Sequence, residues 1–296
     1  MNSYHTPVLL KEVIDLLKVK KGEKIIDATL GGGGHTKALL EKGAQVLAID
    51  LDEEAINYAK KNLVLDNNLI LAKGNFRDLE EIAHLNSFGK VSAVLFDLGV
   101  SSHQIDTPER GFSFLKGGPL DMRMDKSSGL TAETLVNLLE KGELNDIFNK
   151  FGQERRSWVI SSSIVRARRI KAIKTTGDLA GIVQEAYGIK SDDVSDFTKN
   201  LINKRVFQAL RIAVNDEIES IKEALPKAYE LLESGGKIAV ISFHSLEDGV
   251  VKKIFKDFKR KNMGIVITEK PIEASEEEVR RNSRAKSAKL RVFEKN

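Results

Sequence analysis

A run of four glycines, Gly31 to Gly34, follows a short apolar segment and is the feature of this chain that most directly predicts chemistry. A second apolar segment then ends on an acid, Asp50. Glycines after a first strand let backbone N–H groups approach a ligand closely, and an acid about 20 residues further on can accept hydrogen bonds from ribose hydroxyls. The spacing therefore predicts a site for a ligand that carries a nucleoside.

The residues after the glycines decide between two such ligands. A dinucleotide-binding turn needs a small residue three positions after its second glycine, and the candidates here are Thr36 and Lys37. A nucleoside without phosphate, such as S-adenosylmethionine, needs only backbone room and an acid for its ribose. The pattern favours this second ligand over a nicotinamide dinucleotide. The structural alternative for Asp50 is a capping box with Glu53 at the start of a helix.

Two further residues lie just after predicted strands, where ligands of open parallel sheets bind. Phe76 could lie against an adenine, and its alternative is an ordinary core aromatic residue. Asp97 could accept a hydrogen bond from a substrate amine, and its alternative is a cap of a helix or turn. Gln104 comes a few residues later and joins the same candidate site.

The histidines and cysteines limit the remaining chemistry. Cys is absent, which excludes disulfides, thiolate zinc sites and a Cys nucleophile. The five histidines lack the spacing of metal ligands, so no metal site is predicted. His35 at a helix start is expected to position backbone. His244 is less clear, because Ser245 and Asp248 in the same loop match a capping pattern.

Basic residues are concentrated in three segments, although the net charge is only +4. The segments are 155–174, 252–261 and 280–291; the first and third contain no acid and the second contains only Asp257. Such clusters suit a polyphosphate backbone, whereas a single one is commonly a solvated helix face. Three of them together favour nucleic acid as the partner.

Strands alternate with helices at both ends of the chain, which predicts a parallel sheet with helices on both faces. From about residue 110 to 204 only helical patterns occur, so we expect a helical insertion there, with 1–109 and 205–296 forming one discontinuous domain. A single long helix is expected from Val206 to about Leu232. Two late strands, 265–267 and 290–293, are expected to pair antiparallel, and the segment between them to be loop-like.

No apolar stretch approaches the roughly 20 residues of a membrane span, and the first residues lack a signal-peptide pattern. A cytoplasmic location is the default expectation.

Eight motifs in order make the chain resemble the RsmH (MraW) family, whose members methylate N4 of a cytidine in bacterial small-subunit ribosomal RNA. The motifs are His5–Val8, Gly32–His35, Asp97–Ser102, Glu109–Phe114, Gly118–Asp125, Phe207–Ile212, Ile241–Asp248 and Asn282–Ala285. The resemblance covers nearly the whole chain. It implies a Rossmann-like class I S-adenosylmethionine-dependent methyltransferase fold with an inserted helical domain for substrate recognition.

The resemblance also implies the residues of the site. S-adenosyl-L-methionine would contact Gly33, Gly34, His35, Asp50, Phe76, Asp97 and Gln104. Asp97 is the residue expected nearest the chemistry, and Phe112, Phe114 or Phe243 would supply an aromatic surface for the target base. The residues expected to contact RNA are Arg110, Asp121, Arg123, Arg166, Arg168, Arg211 and His244.

The expected partner is 16S ribosomal RNA. The assembled small subunit is favoured as substrate, while naked RNA stays open, and the sequence does not determine an oligomeric state. Three other functions remain as alternatives: an NAD-dependent oxidoreductase, a small-molecule methyltransferase, and a non-catalytic RNA chaperone that keeps a cofactor pocket.

Overall fold

The computed structural model of the 296-residue chain describes residues 7–64, 67–189 and 196–296, with side chains omitted for 196–199. His5 and Thr6, which begin the first family motif, lie outside the described residues. Contacts between Cα atoms divide the chain into two compact units, one formed by residues 1–101 and 218–296 and the other by 102–217. Among the described residues, no helix is both long enough and apolar enough to cross a membrane.

The first unit contains all eight strands that are described. In chain order they are β1 (Lys24–Asp27), β2 (Gln45–Asp50), β3 (Leu69–Lys73), β4 (Val91–Asp97), β5 (Leu232–Ser242), β6 (Gly264–Val266), β7 (Ile272–Glu273) and β8 (Lys289–Lys295). They form one sheet of order β3-β2-β1-β4-β5-β8-β6, with β7 also paired to β8. Strands β1 to β5 are parallel, whereas β8 is antiparallel to β5 and β6. The α/β fold and the antiparallel late pair agree with the sequence predictions.

Helices cover both faces of this sheet, because alternate strand residues point to opposite sides. Ile25, Val46 and Leu95 lie in one buried cluster, while Ile26, Leu47 and Val94 lie in the other. The helices of this unit are α1 (Leu10–Leu17), α2 (Gly34–Glu41), α3 (Glu53–Asn62), α4 (Leu79–Leu85), α11 (Glu217–Leu231), α12 (Ser245–Arg260) and α13 (Glu276–Arg281).

The second unit is helical and has a hydrophobic core of its own, which includes Leu144, Phe148, Ile160 and Leu210. Its helices are α5 (Ser102–Asp106), α6 (Ala132–Leu138), α7 (Lys141–Gly152), α8 (Ser157–Arg168), α9 (Thr176–Ala186) and α10 (Asp196–Asn215). The unit extends beyond the expected 110–204 boundaries: it begins at Ser102 with α5, and it ends at Glu217 because α10 continues without interruption past residue 205.

Three local predictions are corrected. The single helix from Val206 to Leu232 is two helices, because Asp216 adopts a left-handed conformation with φ 50° between α10 and α11. Strand β5 begins at Leu232, so Gly235 and Gly236, which the sequence suggests as the stop after the expected helix, lie inside the strand. The segment expected to be loop-like contains helix α13, whose first turn is capped by Ser275.

Candidate functional site

Strand register places two carboxylates at the same level beside the end of β1. Asp27, the last residue of β1, is paired with Ala48 on β2 and with Leu95 on β4. Asp50 and Asp97 lie two residues beyond these partners, at the ends of β2 and β4. The chain runs from β1 outward to β3 and then returns to β4, so this is the point where the strand order reverses. Ligands of open parallel sheets bind at such a point.

The Asp50 carboxylate is fixed by the backbone of the glycine turn. Its Oδ2 accepts a hydrogen bond from the N–H of Gly31 at 2.7 Å, and its Oδ1 accepts one from the N–H of Asp52 at 2.8 Å. Burial raises the pKa of Asp50 to about 6, although both backbone donors oppose that rise. The cap of α3 is Asp52, whose side chain accepts from Glu54 N–H. The capping box expected as the alternative role of Asp50 is therefore not formed.

Gly33 and Gly34 have a packing reason to lack side chains. A Cβ on Gly33 would lie 2.9 Å from Leu63 Cδ1, and one on Gly34 would lie 2.8 Å from Pro7 Cγ. Gly33 also has φ 75°, which favours glycine. At both positions, therefore, a side chain would collide with a neighbouring side chain of the protein. Gly31 differs, since a Cβ there would meet only Thr29 O at 3.9 Å.

Asp97 lies beside His35, which is buried at the start of α2. The Nδ1 of His35 is 3.5 Å from Asp97 Oδ2, and its Nε2 is 3.1 Å from the carbonyl oxygen of Val8. Because a carbonyl only accepts, Nε2 carries a proton and donates. His35 therefore holds the backbone of the segment before α1, in line with the positioning role predicted from the sequence, and its Nδ1 lies next to the carboxylate at the end of β4.

Asp27 is a buried acid that the sequence reasoning did not select. Its Oδ2 accepts a hydrogen bond from the hydroxyl of Thr36 at 2.6 Å, and its Oδ1 accepts one from Thr29 N–H at 3.2 Å. Burial raises the pKa of Asp27, against the lowering effect of these donors and of His35. Asp27 ties β1 to α2 and so holds the glycine turn between them. The sequence signal that could have identified Asp27 was its position at the end of the strand that precedes the four glycines.

Phe76 lies in a short 3₁₀ turn after β3, in which Asn75 caps the backbone by accepting from Arg77 N–H. Its ring is half-buried and meets Phe96 edge-on at a centroid distance of 5.7 Å. This placement fits both predicted roles of Phe76. One edge of the ring packs on the core, as in an ordinary core aromatic residue, and the exposed part of the ring could lie against an adenine.

His244 is the cap of α12. Its Nδ1 accepts from Glu247 N–H at 3.3 Å, and the Glu247 side chain accepts in return from His244 N–H and Phe243 N–H. The capping box thus begins at His244, one residue before the predicted Ser245. This capping role accounts for the position of His244 without a contact to RNA.

Gln104 lies on α5 in the 102–217 unit and is buried. Phe112 and Phe114 belong to the same unit and pack against its core. Phe243 is in the sheet unit, half-buried directly after β5.

Arg110 is corrected as a candidate RNA contact. It is 1% exposed, and its Nη2 donates to the carbonyl oxygens of Arg123 and Met124 at 2.9 and 3.0 Å. The guanidinium therefore holds its own loop together instead of presenting a charge.

Three other candidate arginines have intramolecular partners. Arg123 forms a bidentate pair with Asp121 at 2.8 and 2.7 Å, and the guanidinium lowers the pKa of that partly buried carboxyl. Arg211 pairs in the same way with Glu217. Arg168 Nη1 donates to the carbonyl oxygens of Val136 and Leu139, which caps the end of α6. Arg166 remains exposed on α8.

Known proteins match this chain over nearly its whole length. The model of the MraW methylase family matches residues 2–296. A protein of Halothermothrix orenii named Ribosomal RNA small subunit methyltransferase H is 44% identical, with 98% of each chain covered. One of the same name from Persephonella marina is 45% identical over 97% of this chain and 98% of its own.

Solved structures give weaker matches. An rRNA methylase structure from Clostridium thermocellum is 17% identical, with TM-score 0.46, and 98% of this chain and 99% of that one are covered. A methyltransferase from Streptococcus mutans in complex with SAH has 13% identity and TM-score 0.45, and the match covers 98% of this chain and 99% of that one. Likenesses at this level do not support an argument about the site.

Proposed function

The chain belongs to the MraW methylase family, and from that membership we propose that it transfers a methyl group from S-adenosyl-L-methionine to a ribosomal RNA base. The acceptor is the exocyclic N4 of a specific cytidine in bacterial small-subunit (16S) ribosomal RNA. The observation that carries the proposal is the match of the MraW methylase family to residues 2–296, and the hydrogen bond from Gly31 to Asp50 supports the cofactor site by joining the proposed ribose-binding acid to the glycine turn.

The residues at the strand ends fit S-adenosylmethionine. Each oxygen of Asp50 accepts one backbone N–H and keeps a further lone pair for a ribose hydroxyl. Phe76 lies one strand further along the sheet and can lie against the adenine. Gly33, Gly34 and His35, at the start of α2, offer backbone groups to the amino-acid end, and Gln104 stays a proposed cofactor contact on the ground of the family resemblance alone.

The protein must make a poor nucleophile reactive. The N4 lone pair of cytosine is delocalised into its ring, and the cofactor supplies an already activated methyl group on sulfur. We assign Asp97 as the acceptor for N4–H, where it localises the lone pair and aims it at the methyl carbon. Holding the two reactants in line can contribute on the order of 7 kcal/mol of the barrier. Phe243 is the aromatic candidate nearest this edge in the sheet unit for holding the extruded base.

The helical unit is proposed to recognise the RNA, with Arg166 as its exposed cationic contact. We propose that the assembled small subunit in the cytoplasm is the substrate, because a folded RNA presents the target base in a fixed setting.

Methyl transfer from labelled S-adenosylmethionine tests the function, with small-subunit particles, naked ribosomal RNA and free cytidine as acceptors. After digestion to nucleosides, label in N4-methylcytidine from particles or RNA supports the proposal, and a higher rate on particles supports the assembled substrate. Label only on free cytidine would indicate a small-molecule methyltransferase. Cofactor binding without transfer to any acceptor would indicate a non-catalytic RNA-binding protein.

A further inference from the structure

Helix α12 presents a row of cations that the catalytic site does not use. Val251, Phe255 and Phe258 bury one side of the helix in the core of the sheet unit. The opposite side carries Lys252, Lys253, Lys256 and Arg260, all exposed, which we call the α12 basic face. Lys252, Lys256 and Arg260 are spaced four residues apart, which places their Cα atoms about 6 Å apart along one side of the helix.

Within the described residues, three of these cations form no direct ion pair, although Lys256 still interacts electrostatically with Glu269 and, together with Lys259, lowers the pKa of that carboxyl. Arg260 pairs with Asp257 at 3.0 Å, and neighbouring Lys259 pairs with Glu269. Lys252, Lys253 and Lys256 make no ion pair within the described part of the chain. Like charges three and four residues apart destabilise a helix. An anionic partner would remove that repulsion.

The surface beside the lysines is concave. Gly249, Lys252, Lys253, Lys256, Asp257 and Arg260 line a shallow depression of about 460 Å³. Gly249 lies one turn before the lysines, and a Cβ there would meet nothing within 4 Å. The missing side chain leaves room for a ligand to approach along the helix.

The charge arrangement favours one class of occupant. A row of cations along a helix matches a chain of phosphates better than a single anion. A membrane surface would need large apolar residues beside the cations, and none of the exposed large hydrophobic residues lies on α12. We propose that the α12 basic face is a docking surface for the sugar–phosphate backbone of the substrate RNA, away from the target base. This inference rests on the proposed function, and it assigns the face to affinity and orientation, not to base recognition.

The test compares two triple variants of the full-length protein. Lys252→Gln/Lys253→Gln/Lys256→Gln removes the unpaired charges of the face. Lys42→Gln/Lys60→Gln/Lys61→Gln removes the same number of charges from exposed lysines elsewhere in the same unit. Binding to unmodified small-subunit ribosomal RNA is measured between about 50 and 200 mM salt.

We expect the first variant to reduce the slope of log K against log salt by about 2 to 3, and to weaken binding on the order of tenfold at the low-salt end. The control should change the slope by less than about 1. Gly249→Glu, which keeps every lysine and adds a carboxylate to the depression, should also weaken RNA binding. Affinity for S-adenosylhomocysteine should be retained in all three, which shows that they fold.

Equal effects of the two triple variants, or no effect of either, would overturn the docking surface. The proposal would also be overturned if the Lys252→Gln/Lys253→Gln/Lys256→Gln variant lost binding to phosphatidylserine–phosphatidylcholine vesicles while its RNA binding stayed unchanged. The face would then be a membrane-binding surface. These results differ from failure of the proposed function itself, in which the wild-type protein would neither bind nor methylate the RNA.

Discussion

At the scale of single residues, Asp50 combines a structural and a ligand-binding demand. Both of its oxygens accept backbone N–H groups, which orients the carboxylate, while burial makes its ionised form costly. The folded protein therefore favours the protonated acid up to a pH of about 6. In the proposed site, ribose hydroxyls would donate to the ionised form, so a bound cofactor would oppose the effect of burial.

Cofactor affinity should consequently depend on pH. As pH falls below about 6, Asp50 becomes protonated, and we expect the Kd for S-adenosylhomocysteine to rise, approaching tenfold per pH unit. Calorimetric titrations from pH 7.5 down to about 5 measure this dependence. Asp50→Asn should bind weakly and with little pH dependence over the same range. A wild-type Kd that stays constant across this range would contradict the assignment.

Asp97 should affect turnover more than any other carboxylate at this edge. Asp97→Ala removes the acceptor for N4–H and should lower kcat by roughly 10²-fold or more, while Asp97→Asn keeps a neutral carbonyl acceptor without the charge and should lower kcat by a smaller factor. Single-turnover methylation of small-subunit particles measures the chemical step. Asp15→Asn, which changes an exposed carboxylate on α1, serves as the matched control. Near-normal turnover in both Asp97 variants would rule out its catalytic role.

At the scale of elements, α7 and α10 approach so closely that one position requires glycine. A Cβ on Gly152 would lie 2.8 Å from the carbonyl oxygen of Arg205 and 3.3 Å from Ala209 Cβ. Gly142, in the same helix, has nothing within 4 Å of its Cβ position. Within the same helix, position 152 therefore requires glycine, whereas position 142 has room for a side chain.

Substitution by alanine should separate them. Gly152→Ala should destabilise the protein by about 1 to 3 kcal/mol, because α7 and α10 must move apart. Gly142→Ala should be neutral or stabilise by up to about 1 kcal/mol, because alanine is the better helix former. Denaturant unfolding measures both, and equal effects of the two substitutions would contradict the close packing.

Two arginines on α8 should likewise have separable roles. Arg168 caps the last carbonyls of α6, so Arg168→Gln should cost about 1 to 3 kcal/mol of stability. Arg166 is exposed, so Arg166→Gln should leave stability unchanged and reduce the salt slope of RNA binding by about 1. Thermal unfolding and salt-dependent binding, measured on both variants, provide the comparison. If Arg166→Gln instead lowered stability and left the salt slope of RNA binding unchanged, Arg166 would not be an RNA contact.

The break between α10 and α11 illustrates which element boundaries the sequence could not supply. Apolar residues recur at helical spacing on both sides of Asp216, so periodicity alone predicts one helix. A single residue with φ 50° ends α10, and Asp tolerates that conformation without a strong local signal. The same limit applies to α13, whose short acidic and basic sequence lacks a wide apolar stripe.

At the scale of the whole molecule, the distribution of paired and unpaired charge determines which surfaces can attract RNA. The 280–291 segment appeared as basic in sequence as the other two segments. In the structure, Arg280 and Arg281 pair with Glu276 and Glu277 one turn earlier, and Arg291 forms a buried bidentate pair with Asp248. Among the residues that the structure describes, Lys252, Lys253 and Lys256 form no such ion pair, and only Lys256 interacts at longer range with a carboxylate, that of Glu269. Equal charge counts in sequence therefore correspond to different electrostatic surfaces.

The sequence alone determined the α/β class, a helical insertion and the pairing of the glycine turn with Asp50, because strand and helix periodicity and glycine spacing are local properties. The proposal of Asp50 and Phe76 as ligand contacts follows from the same local rule, which places such contacts just after strands. Tertiary structure decided the rest. Arg110 and Arg168 proved to be caps of neighbouring backbone, and Asp27 proved to be the acid that joins β1 to α2. Whether a charged side chain is available to a ligand depends on partners far away in the chain, and only folding brings those partners together.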